Sequence, residues 1–174
     1  MIRTTLCLIL LSLPQWAQAV TCSDQTHEGR SLTVCTVDAA KDNLRLFLRD
    51  DSGAILGQFR DIERALEDGK TLSFGMNAGM YHADRSPVGH YVEDGTEEMR
   101  LLTGGSKGNF GLLPNGVLCL NDGAVQVYET LDFQKNAPTC RDATQSGPML
   151  VIDGALHPRF LPDSTSRFLR NGVG

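Results

Sequence analysis

The stretch Ala143-Thr144-Gln145-Ser146-Gly147-Pro148-Met149-Leu150-Val151-Ile152-Asp153-Gly154, with His157 just beyond it, organises the chain. It reads as a polar turn, punctuated by Gly147-Pro148, that feeds a short apolar strand over residues 149–152. Asp153-Gly154 is a two-residue turn signal, and residues 155–156 would return beside that strand. Polar groups at the mouth of a buried strand are a usual way for a scaffold to present a site. Ser146 invites reading as a nucleophile with His157 as its base across the hairpin. The plainer reading is that Ser146 caps the turn and its hydroxyl bonds to backbone, with hydrogen bonding to substrate as the alternative to nucleophilic attack. Asp153 occupies a turn position where Asp is common in any case.

Upstream, residues 110–113, 117–120 and 124–128 read as three strands joined by Asn115-Gly116 and Asp122-Gly123, which gives a three-stranded meander. Residues 31–37 alternate enough to form a strand. Leu44-Arg45-Leu46-Phe47-Leu48-Arg49 alternates more cleanly, with its three leucines on one face, and Asp50-Asp51-Ser52-Gly53 is a turn. Asp61 is placed as the N-cap of a short helix running to Glu67 and ended by Gly69. Residues 72–76 read as a buried strand entering Asn77-Ala78-Gly79-Met80-Tyr81. A strand through Val92 follows the loop closed by Pro87-Val88-Gly89, and residues 167–173 read as a last strand. The fold class expected is α+β, mostly β: a mixed sheet with hairpins and one or two short helices, incomplete at its C-terminal end.

A chain of 174 residues fits one domain, placed at residues 20–174. Residues 1–19 read as a signal peptide: Arg3 near the start, an apolar run at residues 6–13, Pro14, then Ala17-Gln18-Ala19 as a small-x-small cleavage site. The protein is therefore expected to be exported, periplasmic or secreted. Losing Arg3 with the leader leaves fifteen basic residues against twenty-one acidic ones, a net charge of −6. The acidic residues are scattered, and no basic stripe offers itself to nucleic acid. No second apolar span follows, so no transmembrane segment is expected.

Cys22, Cys35, Cys119 and Cys140 remain after the leader. In an exported chain an even count suggests disulfides. Three connectivities are possible, and Cys22–Cys35 with Cys119–Cys140 is preferred because each pair is close in sequence. A lipid anchor at Cys22 is the alternative use of that thiol, although Ala19-Val20-Thr21 is a poor signal for it. No Cys/His spacing suggests zinc, and neither a metal nor another cofactor is expected.

Among the remaining motifs, Gly104-Gly105-Ser106-Lys107-Gly108 lacks the spacing and the following helix of a phosphate loop. Asn77 places an amide at a strand end, and Gly79 permits close approach of a ligand or an unusual backbone angle. Arg167 and Arg170 would point to opposite faces of a strand, so that one could grip an anionic group.

Taken together, Asn77-Ala-Gly-Met-Tyr81, Ser86-Pro-Val-Gly89, Gly108-Asn-Phe110, Leu113-Pro-Asn-Gly116, Ala143-Thr-Gln-Ser-Gly-Pro-Met-Leu150, Asp153-Gly154 with His157, and Ser164-Thr-Ser-Arg167 through Gly174 form an ordered set. That set resembles the phosphodiester glycosidase family, which includes bacterial exported relatives of the lysosomal uncovering enzyme. The resemblance implies hydrolysis of a sugar-1-phosphodiester at the bond between anomeric carbon and phosphate oxygen. On matching positions it implies a pocket lined by Asn77, Gly79, Tyr81, Ser146, Gly147, His157, Arg167, Arg170 and Asn171. Arg167 or Arg170 would hold phosphate, His157 would orient or transfer a proton, and Asn77 and Ser146 would position the sugar. The family continues beyond this last motif into further strands and an Asp-Gly segment whose aspartate is a candidate catalytic group; Asp153 is the weaker substitute within this chain. The expected partner is a small-molecule or glycan phosphodiester. The competing class is a cell-envelope glycan-binding or structural protein of the same fold without turnover.

Overall fold

A computed structural model describes residues 20–104, 108–161, 163–165 and 168–174. The expected leader lies outside the described residues. The centre is a five-stranded sheet built from β3 (Tyr91–Glu93), β4 (Thr96–Met99), β5 (Gly116–Asn121), β6 (Ala124–Glu129) and β7 (Asp142–Ser146). Its spatial order is β4-β3-β7-β5-β6, and every pairing is antiparallel where a mixed sheet is expected. Two further hairpins stand apart from it: β1 (Thr21–His27) with β2 (Arg30–Thr36), and β8 (Val151–Ile152) with β9 (Ala155–Leu156). With short helices α1 (Phe59–Ala65) and α2 (Thr130–Asn136), the fold is mostly β within the α+β class.

The central position belongs to Asp142-Ala143-Thr144-Gln145-Ser146, the part of the opening stretch that reads as a turn. Its first four residues are all buried. Strand register gives the sheet two different faces. On one, Ala143 lies opposite Cys119 and Val92, and Phe133 of α2 closes the layer with Val117 and Cys140. On the other, Leu118 lies opposite Thr144 and Leu120 opposite Asp142. Here Leu46 and Leu48 pack on Tyr91 and Leu120, with Leu44 and Ile55 beside them. The alternation of residues 44–49 thus marks burial correctly, yet the segment wraps the sheet as an irregular strap with a single bridge from Arg49 to Ile55.

Polar clamps hold this strap. Arg141 donates from Nε and Nη2 to Asp142 Oδ2 and from Nη2 to the Leu44 carbonyl; Arg45 pairs with Asp94 at 2.7 Å. The Leu48 amide donates to Glu93 Oε2 at 2.8 Å. The Cys119–Cys140 disulfide ties β5 to the entry of β7, and Cys22–Cys35 staples the β1–β2 hairpin, as preferred from spacing. The second bond occupies the thiol that a lipid anchor would need.

Several local expectations are corrected. Residues 110–113 do not form the first strand of a meander: Gly108–Gly111 is a 3-10 turn, and the neighbour of β5 is β7. The reason is Asn115, whose buried amide donates to the Phe110 carbonyl and whose own carbonyl accepts from both the amide and hydroxyl of Thr130. That fixes a corner onto α2, where a two-residue hairpin would have to be solvated. Residues 72–76 and the described part of 167–173 lie in no strand. Asp61 sits inside the first turn of α1, whose N-cap is Gln58. Helix α2 had no signal of the usual kind; its N-cap is Glu129, accepting from the amides of Leu131 and Asp132, and Ala137 ends it in the left-handed conformation.

Candidate functional site

Strand β7 runs from Asp142 at one end of the sheet to Ser146 at the other, and the candidate residues gather at the Ser146 end. Gly79 lies flat against this strand. Its amide donates to Thr144 Oγ1 at 3.0 Å, and a Cβ at Gly79 would fall 2.3 Å from the Gln145 carbonyl oxygen. No side chain fits there, which is the physical need for glycine. From this anchor the loop places Asn77 at the surface, where its Oδ1 accepts from Asn171 Nδ2. Asn77 Nδ2 makes no hydrogen bond among the described residues.

Ser146 ends β7 opposite Gly116 and is exposed. Gly147 follows, pressed on Asn115: a Cβ there would sit 1.9 Å from Asn115 Oδ1. That buried oxygen has no hydrogen-bond partner among the described residues. The Met149 amide then bonds to the Pro114 carbonyl, so the Gly147–Met149 turn and the corner at residues 113–116 are held as one block. Asn77, Gly79, Ser146, Gly147 and Asn171 are thereby grouped around one end of the central strand.

The other expected residues are placed differently. His157 is buried behind the turn with both ring nitrogens engaged by backbone. Nδ1 accepts from the Arg159 amide at 3.1 Å, so Nε2 carries the proton and donates to the Leu113 carbonyl at 3.2 Å. Its ring stacks on Phe160. A base for Ser146 needs an open nitrogen, and in this arrangement His157 has none; its geometry serves to hold residues 150–160 against the 113 corner. Asp153 lies at the exposed β8–β9 turn with φ 49°. Tyr81 is exposed and bridges to Pro87. Arg170 is exposed with its guanidinium 5.0 Å from the centre of the Phe168 ring. Arg167 lies outside the described residues, as do Gly105, Ser106 and Lys107.

Gln145 is the residue that sequence reasoning passed over. It is 1% exposed, and its side-chain amide makes four hydrogen bonds. Oε1 accepts from the amides of His90 and Leu102, while Nε2 donates to the Leu102 carbonyl and to Thr130 Oγ1. It joins the residue that leads into β3, the segment entering the 104–108 loop, and α2 behind the Ser146 end. A glutamine between threonine and serine carries no local signal of such a position.

Among the described residues, two recesses beside the sheet bear on the site. The larger, about 450 Å³, lies at the Asp142 end between residues 39–45, Asp94, Asn121, Asp122 and Arg141. Its cations are committed to neighbouring carboxylates: Lys41 to Asp38, Arg45 to Asp94, Arg141 to Asp122 and Asp142. It belongs to the clamp on the strap. The smaller, about 260 Å³, lies at the Ser146 end and is lined by Thr103, Leu113, Pro114, Glu129, Thr130 and Leu131. Between the two ends, burial pushes the Tyr91 phenol far above its usual range, and its hydroxyl donates to Glu93 Oε2 at 2.7 Å. Burial also raises the Glu93 carboxyl. Beside Tyr81, the Ser86 hydroxyl and amide hold the exposed Asp84 carboxyl below its usual value.

The chain is 30% identical over 169 residues to Uncharacterized protein YigE of Escherichia coli (strain K12). That alignment covers 96% of this chain and 65% of the relative, so the chain spans less than two thirds of the relative's length. No solved structure matches. The profile of the phosphodiester glycosidase family matches residues 70–174, a span that contains every candidate residue from Asn77 to Asn171. With more than half of its length matched in this way, the chain belongs to the phosphodiester glycosidase family.

Proposed function

We propose that the protein hydrolyses a sugar-1-phosphodiester outside the cytoplasm, after removal of residues 1–19. The observation that carries this reading is the family match over residues 70–174, which takes in the whole group at the Ser146 end of β7. The chemistry of that group suits the task. The amides of Asn77 and Asn171, the Ser146 hydroxyl and the backbone around Gly79 and Gly147 are uncharged hydrogen-bonding groups, apt for sugar hydroxyls. Arg170, next to Asn171 in the chain, supplies a cation for the phosphate, as would Arg167.

In the reaction water attacks the anomeric carbon, the bond from that carbon to the phosphate oxygen breaks, and the phosphate monoester departs with the electron pair. Guanidinium groups stabilise that departing charge and reduce the need for a strong general acid. A carboxylate supports the oxocarbenium-like state or takes the proton of water. Asp153 is the candidate for that role within these residues.

The test is incubation of the protein with N-acetylglucosamine 1-(methyl phosphate). Release of N-acetylglucosamine and methyl phosphate is the expected result. Two observations favour the second reading, a glycan-binding protein without turnover: both nitrogens of His157 are engaged, and Asp153 lies on an exposed turn. Saturable binding of this and related sugar phosphodiesters with no product would establish that reading and refute hydrolysis.

A further inference from the structure

The side chain that anchors the loop carrying Asn77 is not itself at the surface. Residues 77–80 form no regular structure, so their position depends on a few fixed points. Behind them, the Val88 amide bonds to the Met80 carbonyl and Tyr81 bridges to Pro87, which closes the loop on itself. Only one side chain of the sheet, among the described residues, bonds to the backbone of residues 77–81: Thr144, through Oγ1 to the Gly79 amide at 3.0 Å. Thr144 is 7% exposed in the middle strand, paired with Tyr91 on one side and Leu118 on the other. A β-branched side chain in such a strand has a narrow choice of χ1, so its hydroxyl is held in one direction. The contact is close enough that the Gly79 Cβ position would also lie 2.6 Å from Oγ1.

We propose that Thr144 is a positioning residue for the sugar site: its hydroxyl fixes the 77–81 loop on β7 so that the Asn77 amide, steadied by Asn171, faces the substrate. The inference rests on the reading of Asn77 as a sugar-binding residue. Thr144→Val keeps the shape of the side chain and removes the acceptor, leaving the Gly79 amide unbonded. Thr144→Ser keeps the hydroxyl.

The test is titration of the full chain with the non-hydrolysable C-phosphonate analogue of N-acetylglucosamine 1-(methyl phosphate), so that binding is read without turnover. T144V is expected to weaken binding about tenfold, the equivalent of one buried hydrogen bond, with T144S close to the parent. In the double variant T144V/N77A the loss should match that of N77A alone, because a loop already lacking its amide has nothing left to misplace. A merely structural role would lower the melting temperature but leave the two losses additive, and that outcome overturns the proposal. Full binding by T144V alongside a loss in N77A overturns the role of Thr144 alone. Unchanged binding by N77A, or no binding by the parent chain, overturns the sugar-site reading and the proposal with it. Should T144V not fold, Gly79→Ala displaces the same loop from the same strand, and binding retained by it would be equally fatal.

Discussion

Residues 142–146 and 149–156 are neighbours in the chain with opposite characters. The first, Asp-Ala-Thr-Gln-Ser, is polar and forms the buried centre of the sheet. The second is mainly apolar, yet Leu150, Val151 and Leu156 are 55%, 51% and 74% exposed. The difference lies in hydrogen bonding. Every polar side chain buried in β7 has partners: Asp142 takes the Asp94 amide and Arg141, Thr144 takes Gly79, and Gln145 fills all four of its positions. Burial of satisfied polar groups costs little and specifies one arrangement, because no other register meets the same bonds. The apolar segment is held by fewer bonds, chiefly from the Met149 amide and the His157 ring to the 113–114 backbone; β8 and β9 pair two residues each and, among the described residues, pair with no strand of the main sheet.

The strongest way to break this contrast is to make the buried strand apolar. Gln145→Leu leaves the amides of His90 and Leu102 and the Leu102 carbonyl without their partner, and leaves the Thr130 hydroxyl only its bond to the Asn115 carbonyl. A loss of about 4 kcal/mol is expected from stranding several buried groups at once. Leu156→Ser, which makes the exposed segment polar, should stay within about 0.5 kcal/mol. Urea unfolding followed by circular dichroism reads both; similar losses in the two variants would remove the contrast.

The two disulfides sharpen it. Cys119–Cys140 spans 21 residues between adjacent strands of the core. Replacing both cysteines by serine should cost about 3 kcal/mol by loop-closure entropy. The same change at Cys22 and Cys35 removes a bond from a hairpin whose strands, among the described residues, pair only with each other. An isolated hairpin is marginal on its own, so its amides should lose hydrogen-exchange protection while the main melting transition stays in place. A main transition lowered equally by both replacements would show that the hairpin is part of the core.

How much of this was legible follows the same division. Asp122-Gly123 and Asp153-Gly154 announced their hairpins because a two-residue turn writes its backbone needs into local residues. The alternation at residues 44–49 announced which leucines are buried, though not that the strap would lack a paired strand. Strand β7 looks like a turn in the sequence because its burial depends on partners far away in the chain, such as Gly79, His90 and Leu102, that no local pattern shows. Asn77, Gly79 and Ser146 stand out by their own chemistry and Gly147 and Asn171 only through the family resemblance, and the five are grouped at one end of β7. Thr144 and Gln145, which hold that end together, do not stand out, since a polar residue in a polar stretch gives no hint of being inside.

Gly147 is the joint between the two regions, and its substitution probes how rigid the joint is. A Cβ there meets Asn115 Oδ1 and Cγ, at 1.9 and 2.5 Å, and Asn115 is itself locked by Phe110 and Thr130. Gly147→Ala should cost about 2 kcal/mol, within the range for overpacking an interior, and lower the thermal midpoint accordingly. An unchanged midpoint would mean that the 113–116 corner yields to the turn.

The smallest effect tests whether buried polarity is always neutral in this sheet. The Glu93 carboxylate accepts from Tyr91 Oη and the Leu48 amide, yet burial raises its protonation point above the ordinary 4.5. The sign follows from proton binding. Between pH 4.5 and that raised point the folded protein holds a proton that the unfolded chain has released, so this group's contribution to stability falls as pH rises through the window. Glu93→Gln keeps an acceptor for both donors and removes the ionisation. The variant's melting temperature relative to the parent should therefore rise by a few degrees between acid and neutral pH, read from paired melts at the two ends of the window. A relative fall would mean that the charged form gains more from Tyr91 and Leu48 than it loses by leaving water, and would make Glu93 as well satisfied as Gln145.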